Sequence, residues 1–115
     1  MSLRMGFDID GTVDSNLDAF RAIAEGLIKT GHEVWVITGG LADSGEWTLQ
    51  ARIELLKKFK FPYSKLVRCI APTMQEIAKQ KRQVCEEHGI TMMFEDNDLY
   101  ISEIAQVCTT LKVVN

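Results

Sequence analysis

Short apolar segments alternate along the chain with longer stretches in which apolar residues recur at helical spacing. The apolar segments are predicted strands, and they cover residues 3–9, 33–38, 65–71, 90–95 and 109–115. The second of them, residues 33–38, is continuously apolar and rich in β-branched residues, as is typical of a strand buried on both faces. In the first intervening stretch, a helical stripe that stops before Gly31 is formed by Leu17, Phe20, Ala24 and Leu27. This alternation predicts an α/β fold, with helices on both faces of a parallel sheet.

The remaining helices follow from the same periodicity. A glycine-rich turn, residues 39–45, leads to a second helix, whose four-residue spacing predicts burial of Trp47, Ala51, Leu55 and Phe59. Trp47 also lies near that turn, where an indole can stack on a base, but its place on the stripe favours core packing. The third helix is predicted to follow an N-cap at Thr73 and to reach His88, and a short fourth helix covers residues 98–107.

Composition and charge narrow the class of protein. The length fits one domain over residues 1–115, and the formal net charge of −3 gives no bulk attraction to nucleic acid. The three cysteines are widely spaced and odd in number, which indicates reduced thiols. With no membrane-spanning apolar run and no leader-like segment, we expect a soluble, cytoplasmic protein. A group of basic residues most simply forms a solvated surface, and a binding patch for a polyanion is the alternative. The group contains Lys57, Lys58, Lys60, Lys65 and Arg68.

Two pairs of acidic residues follow predicted strands. Asp8 and Asp10 end the first strand, and Glu95 and Asp96 end the fourth. The carboxyl ends of parallel strands share one edge of a sheet, where ligands bind in open α/β folds. Four carboxylates at one edge repel each other unless a hard cation lies among them, and Mg²⁺ suits an all-oxygen set of ligands. On an extended strand, the period of two also places Asp8 and Asp10 on one face.

Thr38 is predicted to end the second strand at this same edge. Its hydroxyl and the backbone N–H groups that follow, beginning with Gly39, are suited to holding phosphate oxygens. The pattern alone is weak, because Thr-Gly-Gly is also an ordinary strand-ending turn.

One lysine of the third helix is predicted to point inward. Lys81 lies four residues after Ile77 and three before Val84, on the apolar stripe, whereas Lys79 lies on the opposite side and faces water. A lysine on an inward face needs an anionic partner or a stem that reaches solvent. The predicted carboxylates supply the partner.

Four segments in order carry a family resemblance. The segments "FDIDGTV", "VWVITGG", Lys81 within "KRQVC" and "MMFEDND" resemble the four motifs of the haloacid dehalogenase-like (HAD) superfamily of phosphohydrolases. The resemblance extends from Phe7 to about Asp98. It implies a three-layer Rossmann-like sandwich with a five-stranded parallel sheet in the order 3-2-1-4-5, without a cap domain.

The resemblance also implies roles for individual residues. Asp8 would be the nucleophile that forms an aspartyl-phosphate, and Asp10 the general acid/base. Thr38 and Gly39 would bind the phosphoryl group, and Lys81 would stabilise the charge shared by Asp8 and phosphate.

The implied metal ligands belong to the first and fourth motifs. Mg²⁺ would be held by Asp8, the backbone carbonyl of Asp10 and Asp96, with Glu95 acting directly or through water. Asp98 is a weaker candidate.

The resulting interpretation is a Mg²⁺-dependent phosphomonoesterase. The short connections leave no room for a cap, which favours a large substrate or a cap from another subunit, and a nucleotide, nucleic-acid end, sugar phosphate or phosphoprotein all stay open. The alternative is a phospho-accepting or phosphate-binding regulatory domain without turnover. The receiver domains of bacterial signalling accept phosphate on an aspartate after the third strand, where this chain has no acidic residue.

Overall fold

The computed structural model describes residues 2–43 and 45–115, and the side chains among them except those of residues 45–47. The role suggested for the Trp47 side chain therefore lies outside the described part. Strands and helices follow one another as β1 Arg4–Phe7, α1 Leu17–Lys29, β2 Glu33–Leu41, α2 Gly45–Lys58, β3 Lys65–Ala71, α3 Met74–Glu87, β4 Met92–Glu95, α4 Asp98–Ile104 and β5 Thr109–Lys112. A short 3-10 helix, Val13–Ser15, lies between β1 and α1.

All strand pairs in the sheet are parallel, and the order is β3-β2-β1-β4-β5. This confirms the predicted Rossmann-like fold and its strand order. The central strand β1 pairs with β2 on one side, where Phe7 is opposite Val36, and with β4 on the other, where Phe7 is opposite Phe94. From β1 the chain adds β2 and β3 on one side of the sheet and then β4 and β5 on the other. The switch point in strand order therefore lies at β1.

Three predicted strand ends are wrong, and the fifth strand is one of them, since it ends at Lys112 instead of Asn115. The first strand ends at Phe7, and a turn follows Asp8, so the period of two does not set where Asp10 points relative to Asp8. The second strand does not end at Thr38 but continues to Leu41, because its ladder with β3 extends as far as the pair Leu41–Ala71. Pairing with β3 therefore overrides the local turn signal of two consecutive glycines.

Helices α1 and α2 pack on one face of the sheet against an aromatic core. Phe7 stacks on Phe94 with ring centroids 4.8 Å apart, and the rings of Phe20 and Phe61 meet Phe7 edge-on. Ala24 of α1 is fully buried beside them. The predicted α1 stripe is confirmed by this packing.

The predicted buried stripe of α2 is wrong. Ala51 is exposed and Leu55 is half-buried, and among the described side chains of α2 the buried apolar ones are those of Leu49 and Leu56. Phe59 lies beyond the last residue of the helix. The inward face of α2 is therefore rotated from the prediction, and it carries Arg52 between Leu49 and Leu56.

Helices α3 and α4 cover the other face of the sheet. Ile77 and Cys85 of α3 and Ile104 of α4 pack on Ile37 and Met93 of the sheet. The predicted N-cap is confirmed, because the Thr73 side chain accepts a hydrogen bond from the backbone N–H of Glu76. No helix among the described residues is long and apolar enough to cross a membrane.

Candidate active site

A buried ion cluster lies at the carboxyl edge of the sheet. The Lys81 ammonium donates to Asp8 Oδ1 at 2.9 Å and to Glu95 Oε2 at 2.7 Å. All three side chains are almost wholly inaccessible to solvent, and Nζ of Lys81 also lies 4.5 Å from the centre of the Tyr100 ring. The inward lysine predicted from the α3 stripe is therefore confirmed, as is the exposed position of Lys79.

Neighbouring strands bring the two carboxylates together. Asp8 follows β1 directly, and its backbone N–H donates to the carbonyl of Phe94 at 3.1 Å, which fixes it beside β4. Glu95 is the last residue of β4. In each strand the preceding residue, Phe7 or Phe94, turns to the aromatic core, so alternation sends the acidic side chain to the α3 face.

The cluster contains two carboxyl groups and one cation. Burial raises the pKa of Asp8 and raises that of Glu95 to about 8, against the attraction of Lys81 in both cases. Burial opposes the charge on Lys81, but the two carboxylates outweigh that effect and hold the pKa of Lys81 above its usual range. One buried cation thus serves two buried carboxylates, and a further positive charge nearby is favoured.

Asp96 adds a third carboxylate on the open side of this cluster. Oxygen atoms of Asp8, Glu95 and Asp96 lie within 4.8 Å of one another, close enough to hold one metal ion. Glu95 is the most committed of the three, because Oε1 accepts from the backbone N–H groups of Asp96 and Asn97 while Oε2 accepts from Lys81. Asp8 and Asp96 are therefore the freer donors for a cation.

A tight turn brings Asp10 to the same cleft. Gly11 has a positive φ of 73°, and a side chain there would collide with the Asp96 carboxylate, so the turn requires glycine. The Gly11 N–H donates to the Asp14 side chain at 2.7 Å, which closes the turn. The Asp10 side chain is half-exposed and forms an ion pair with Arg52 of α2, whose Nε lies 2.7 Å from Oδ1 of Asp10.

Thr38 and Gly39 lie on opposite faces of β2. A Cβ on Gly39 would press on Ile77 at 2.6 Å and lie 3.5 Å from Cε of Lys81, so Gly39 faces α3 and the ion cluster. Thr38 points to the α2 face by strand alternation, and it does not line the cleft that contains Asp8. Its buried hydroxyl has no hydrogen-bond partner among the described residues.

The ion cluster is at the base of an open cleft of about 320 Å³. Carboxylates of Asp8, Asp10 and Asp96 form its acidic side, and Tyr100 lies on the α4 side. Two exposed apolar side chains, Leu41 and Met74, stand at its rim. The cleft therefore joins a charged floor to an apolar rim and is open to solvent.

Asp98, the weaker metal candidate, lies away from the cluster. Its side chain is exposed and pairs with Lys112 of β5 at 2.8 Å. It is the first residue of α4, where a negative charge is favourable. The structure therefore gives Asp98 a surface role.

Sequence reasoning missed Arg52. This residue lies three after Leu49 and four before Leu56, so it falls on an apolar stripe at helical spacing, as Lys81 does. The choice of Trp47, Ala51, Leu55 and Phe59 as the inward stripe hid that signal.

Comparison with known proteins bears on the fold. No family model and no curated protein matches the chain. Among solved structures, a chain of a Pnkp1/Rnl/Hen1 complex is similar with a TM-score of 0.71 and 13% identity, over 97% of this chain and 46% of that chain. A chain of a Pnkp1/Rnl/Hen1 RNA repair complex is similar with a TM-score of 0.67 and 13% identity, over 100% of this chain and 44% of that chain. The protein thus has a Rossmann-like α/β fold and spans less than half the length of either matched chain.

Proposed function

We propose that this chain is a HAD-type, Mg²⁺-dependent phosphomonoesterase that uses Asp8 as its nucleophile. The observation that carries the proposal is the Asp8 carboxylate, which lies at the floor of an open cleft and is held at 2.9 Å by the buried Lys81 ammonium. A nucleophile fixed by one lysine, beside two further carboxylates, has the positioning and charge neutralisation that phosphoryl transfer requires.

The acidic side of the cleft fits a magnesium ion. Asp8 and Asp96 offer oxygen atoms toward the same space, and Glu95 adds negative charge behind them. Mg²⁺ bound there supplies positive charge that lets an anionic phosphoryl group approach the carboxylates. Lys81 supplies the remaining positive charge from the protein side, and its attraction favours the ionised form of Asp8 that attacks phosphorus.

In the first step, an Asp8 oxygen forms a bond to phosphorus as the ester P–O bond breaks. The leaving oxygen takes its proton from Asp10, which lines the same cleft. Asp8 is then an aspartyl-phosphate, and Asp10 is ionised. The pairing of Asp10 with Arg52 keeps the carboxylate over the cleft instead of turned into bulk solvent.

In the second step, a water molecule attacks the phosphorus of the aspartyl-phosphate. Asp10 accepts a proton from this water as the bond between phosphorus and the Asp8 oxygen breaks. Inorganic phosphate leaves, Asp8 is again a carboxylate and Asp10 is again protonated.

The open cleft bears on the substrate. The described residues between β2 and α3 form α2, β3 and their connections, and they place no cap over Asp8. This favours a phosphorylated group at the end of a larger molecule. The similarity in fold to chains of an RNA repair complex supports including phosphorylated nucleic-acid ends with nucleotides, sugar phosphates and phosphoproteins as candidates.

The test is phosphate release by wild type and Asp8→Asn, with Mg²⁺ and with EDTA. The panel contains nucleoside monophosphates, sugar phosphates, a phosphopeptide and oligonucleotides phosphorylated at the 5′ or 3′ end. We expect Mg²⁺-dependent release that falls by about 10³-fold or more in Asp8→Asn, since the nucleophile is lost.

Asp18→Asn is the matched control, because Asp18 is an exposed aspartate at the start of α1. Its activity should equal that of wild type. No release from any panel member by the folded, Mg²⁺-bound protein would instead favour the phospho-accepting or phosphate-binding domain without turnover.

A further inference from the structure

A second, smaller pocket adjoins the cleft on the α2 side of β2. It shares Gly39, Gly40 and Arg52 with the cleft, and it is lined also by Thr38 and Arg68. The pocket is too narrow to hold a water molecule as it stands, so a ligand would enter by displacing the long arginine side chains.

Arg52 links the two spaces. Its guanidinium contacts the Asp10 carboxylate on the cleft side and lies 3.4 Å from the carbonyl of Gly39 through Nη1. Among the described residues that line the cleft, Arg52 is the basic one, since Lys81 is fully buried behind Asp8 and Glu95. A guanidinium that holds a carboxylate through two nitrogens has the geometry that also binds phosphate.

Arg68 and Thr38 add to the same pocket from adjacent strands. They are register partners in the parallel ladder of β2 and β3, so their side chains emerge on one face. Arg68 is exposed, and it brings a second guanidinium to the pocket. The Thr38 hydroxyl is buried and has no hydrogen-bond partner among the described residues, so its O–H group can donate to an anion that enters the pocket.

We propose that Arg52, Arg68 and the Thr38 hydroxyl form a second anion subsite, which binds a phosphate or phosphodiester group of the substrate next to the one that reacts at Asp8. The substrate class is then a phosphate ester with a second phosphate nearby, as in a nucleoside bisphosphate or a phosphorylated nucleic-acid end. This inference rests on the proposed function for its reacting group, but the subsite is testable by binding alone.

The experiment measures binding of two matched probes by calorimetry with Mg²⁺ present. The probes are a nucleoside 3′,5′-bisphosphate and the corresponding nucleoside 3′-monophosphate, and the protein is Asp8→Asn, in which turnover does not interfere. We expect the bisphosphate to bind about tenfold more tightly or better, as charged hydrogen bonds from one or two arginines imply. A dinucleotide with a terminal phosphate should share this preference.

Four further variants are made in the Asp8→Asn background. Arg52→Gln and Arg68→Gln should each reduce the preference for the bisphosphate, and the double variant should abolish it. Arg82→Gln is the control, because Arg82 pairs with Glu103 at the surface of α3, away from both pockets. Thermal unfolding of each variant checks that the protein is folded.

The outcomes separate the two proposals. Equal affinity for the two probes in Asp8→Asn, or a preference that survives the double variant, would overturn the subsite. A preference that depends on Arg52 and Arg68, in a protein that releases no phosphate from any ester, would support the subsite while refuting the proposed phosphatase. Phosphate release without any preference would have the opposite meaning.

Discussion

The two faces of the sheet are built from neighbouring residues but differ in chemistry, since one carries an aromatic core and the other a charged cluster. Phe7 and Phe94 point to the α1 and α2 face and stack at 4.8 Å, while the next residue of each chain segment, Asp8 or Glu95, points to the α3 face and pairs with Lys81. The aromatic face gains stability from burial. The other face places three ionisable groups where burial of charge is costly.

This contrast shows how a small domain can accommodate a buried charged site. The aromatic stack fixes β1 against β4, and their alternation then fixes the separation of the two carboxylates. Lys81 enters from α3 and makes both carboxylates tolerable. Stability on one face thus supports preorganisation on the other, and substitutions on each face should have separable effects.

The largest expected effect is that of Lys81→Met, which breaks the charged face. Removing the cation leaves Asp8 and Glu95 buried together, so we expect the free energy of unfolding in urea to fall by about 3–5 kcal/mol. Catalytic activity should fall by about 10²-fold or more. Lys79→Met, on the exposed side of the same helix, should change stability by about 0.5 kcal/mol or less. Wild-type stability in Lys81→Met would show that the cluster is not ionised as described.

Phe61→Ala breaks the aromatic face instead. Phe61 is buried against Phe7 with ring centroids 6.1 Å apart, and truncation should lower the free energy of unfolding by about 3–5 kcal/mol. Because Phe61 belongs to the aromatic core on the opposite face of the sheet from the carboxylates, the folded variant should keep the wild-type affinity for Mg²⁺ in calorimetry. Weakened Mg²⁺ binding in the folded protein would mean that the two faces are not separable.

Two glycines sharpen the comparison at a smaller scale. Gly39→Ala places a Cβ against Ile77 and near Lys81, so it should destabilise the protein by about 1–3 kcal/mol and lower activity. Gly26→Ala is its counterpart in the exposed interior of α1, with open space around the new Cβ, and it should stabilise by about 0.5–1 kcal/mol. Urea unfolding measures the change in the free energy of unfolding for each variant. Changes of the same sign in the two variants would contradict the packing described at Gly39.

The smallest effect concerns two thiols on the α3 and α4 face. A hydrogen bond from Cys85 lowers the pKa of Cys108 to about 7, whereas burial raises that of Cys69 to about 11. Cys108 is only half-buried, so its alkylation by iodoacetamide should rise with thiolate fraction through about pH 7 and level off above it. Peptide mapping by mass spectrometry should find Cys69 unmodified over that range. A midpoint near the ordinary thiol value would contradict the Cys85 interaction.

The sequence allowed the fold and the buried lysine to be predicted because both depend on periodicity. Strand and helix patterns alternate clearly, and apolar residues at Ile77 and Cys85 mark the α3 stripe on which Lys81 lies. Arg52 was missed for the opposite reason, since α2 offers two competing apolar stripes and the prediction chose the one that contains the exposed Ala51. Helical spacing alone does not decide between such stripes.

The ends of strands and the directions in which side chains point were predicted less well, because both depend on partners that are distant in sequence. Thr38 followed by two glycines reads locally as the end of a strand, yet pairing with β3 extends β2 and directs the Thr38 side chain toward α2. Asp98 lies two residues beyond Asp96, but the start of α4 carries it to Lys112 instead of the cleft. Neither outcome is encoded within the motif itself.

The most direct test of the account is to locate the phosphoryl group on the enzyme. A substrate found in the release assay is mixed with the protein and Mg²⁺, the reaction is quenched in acid within one turnover, and the phosphorylated residue is identified by peptide mass spectrometry. The account predicts a labile phosphoryl group on Asp8, the carboxylate held by Lys81. A phosphoryl group on another residue, or phosphate release with no phosphorylated enzyme at any quench time, would contradict it.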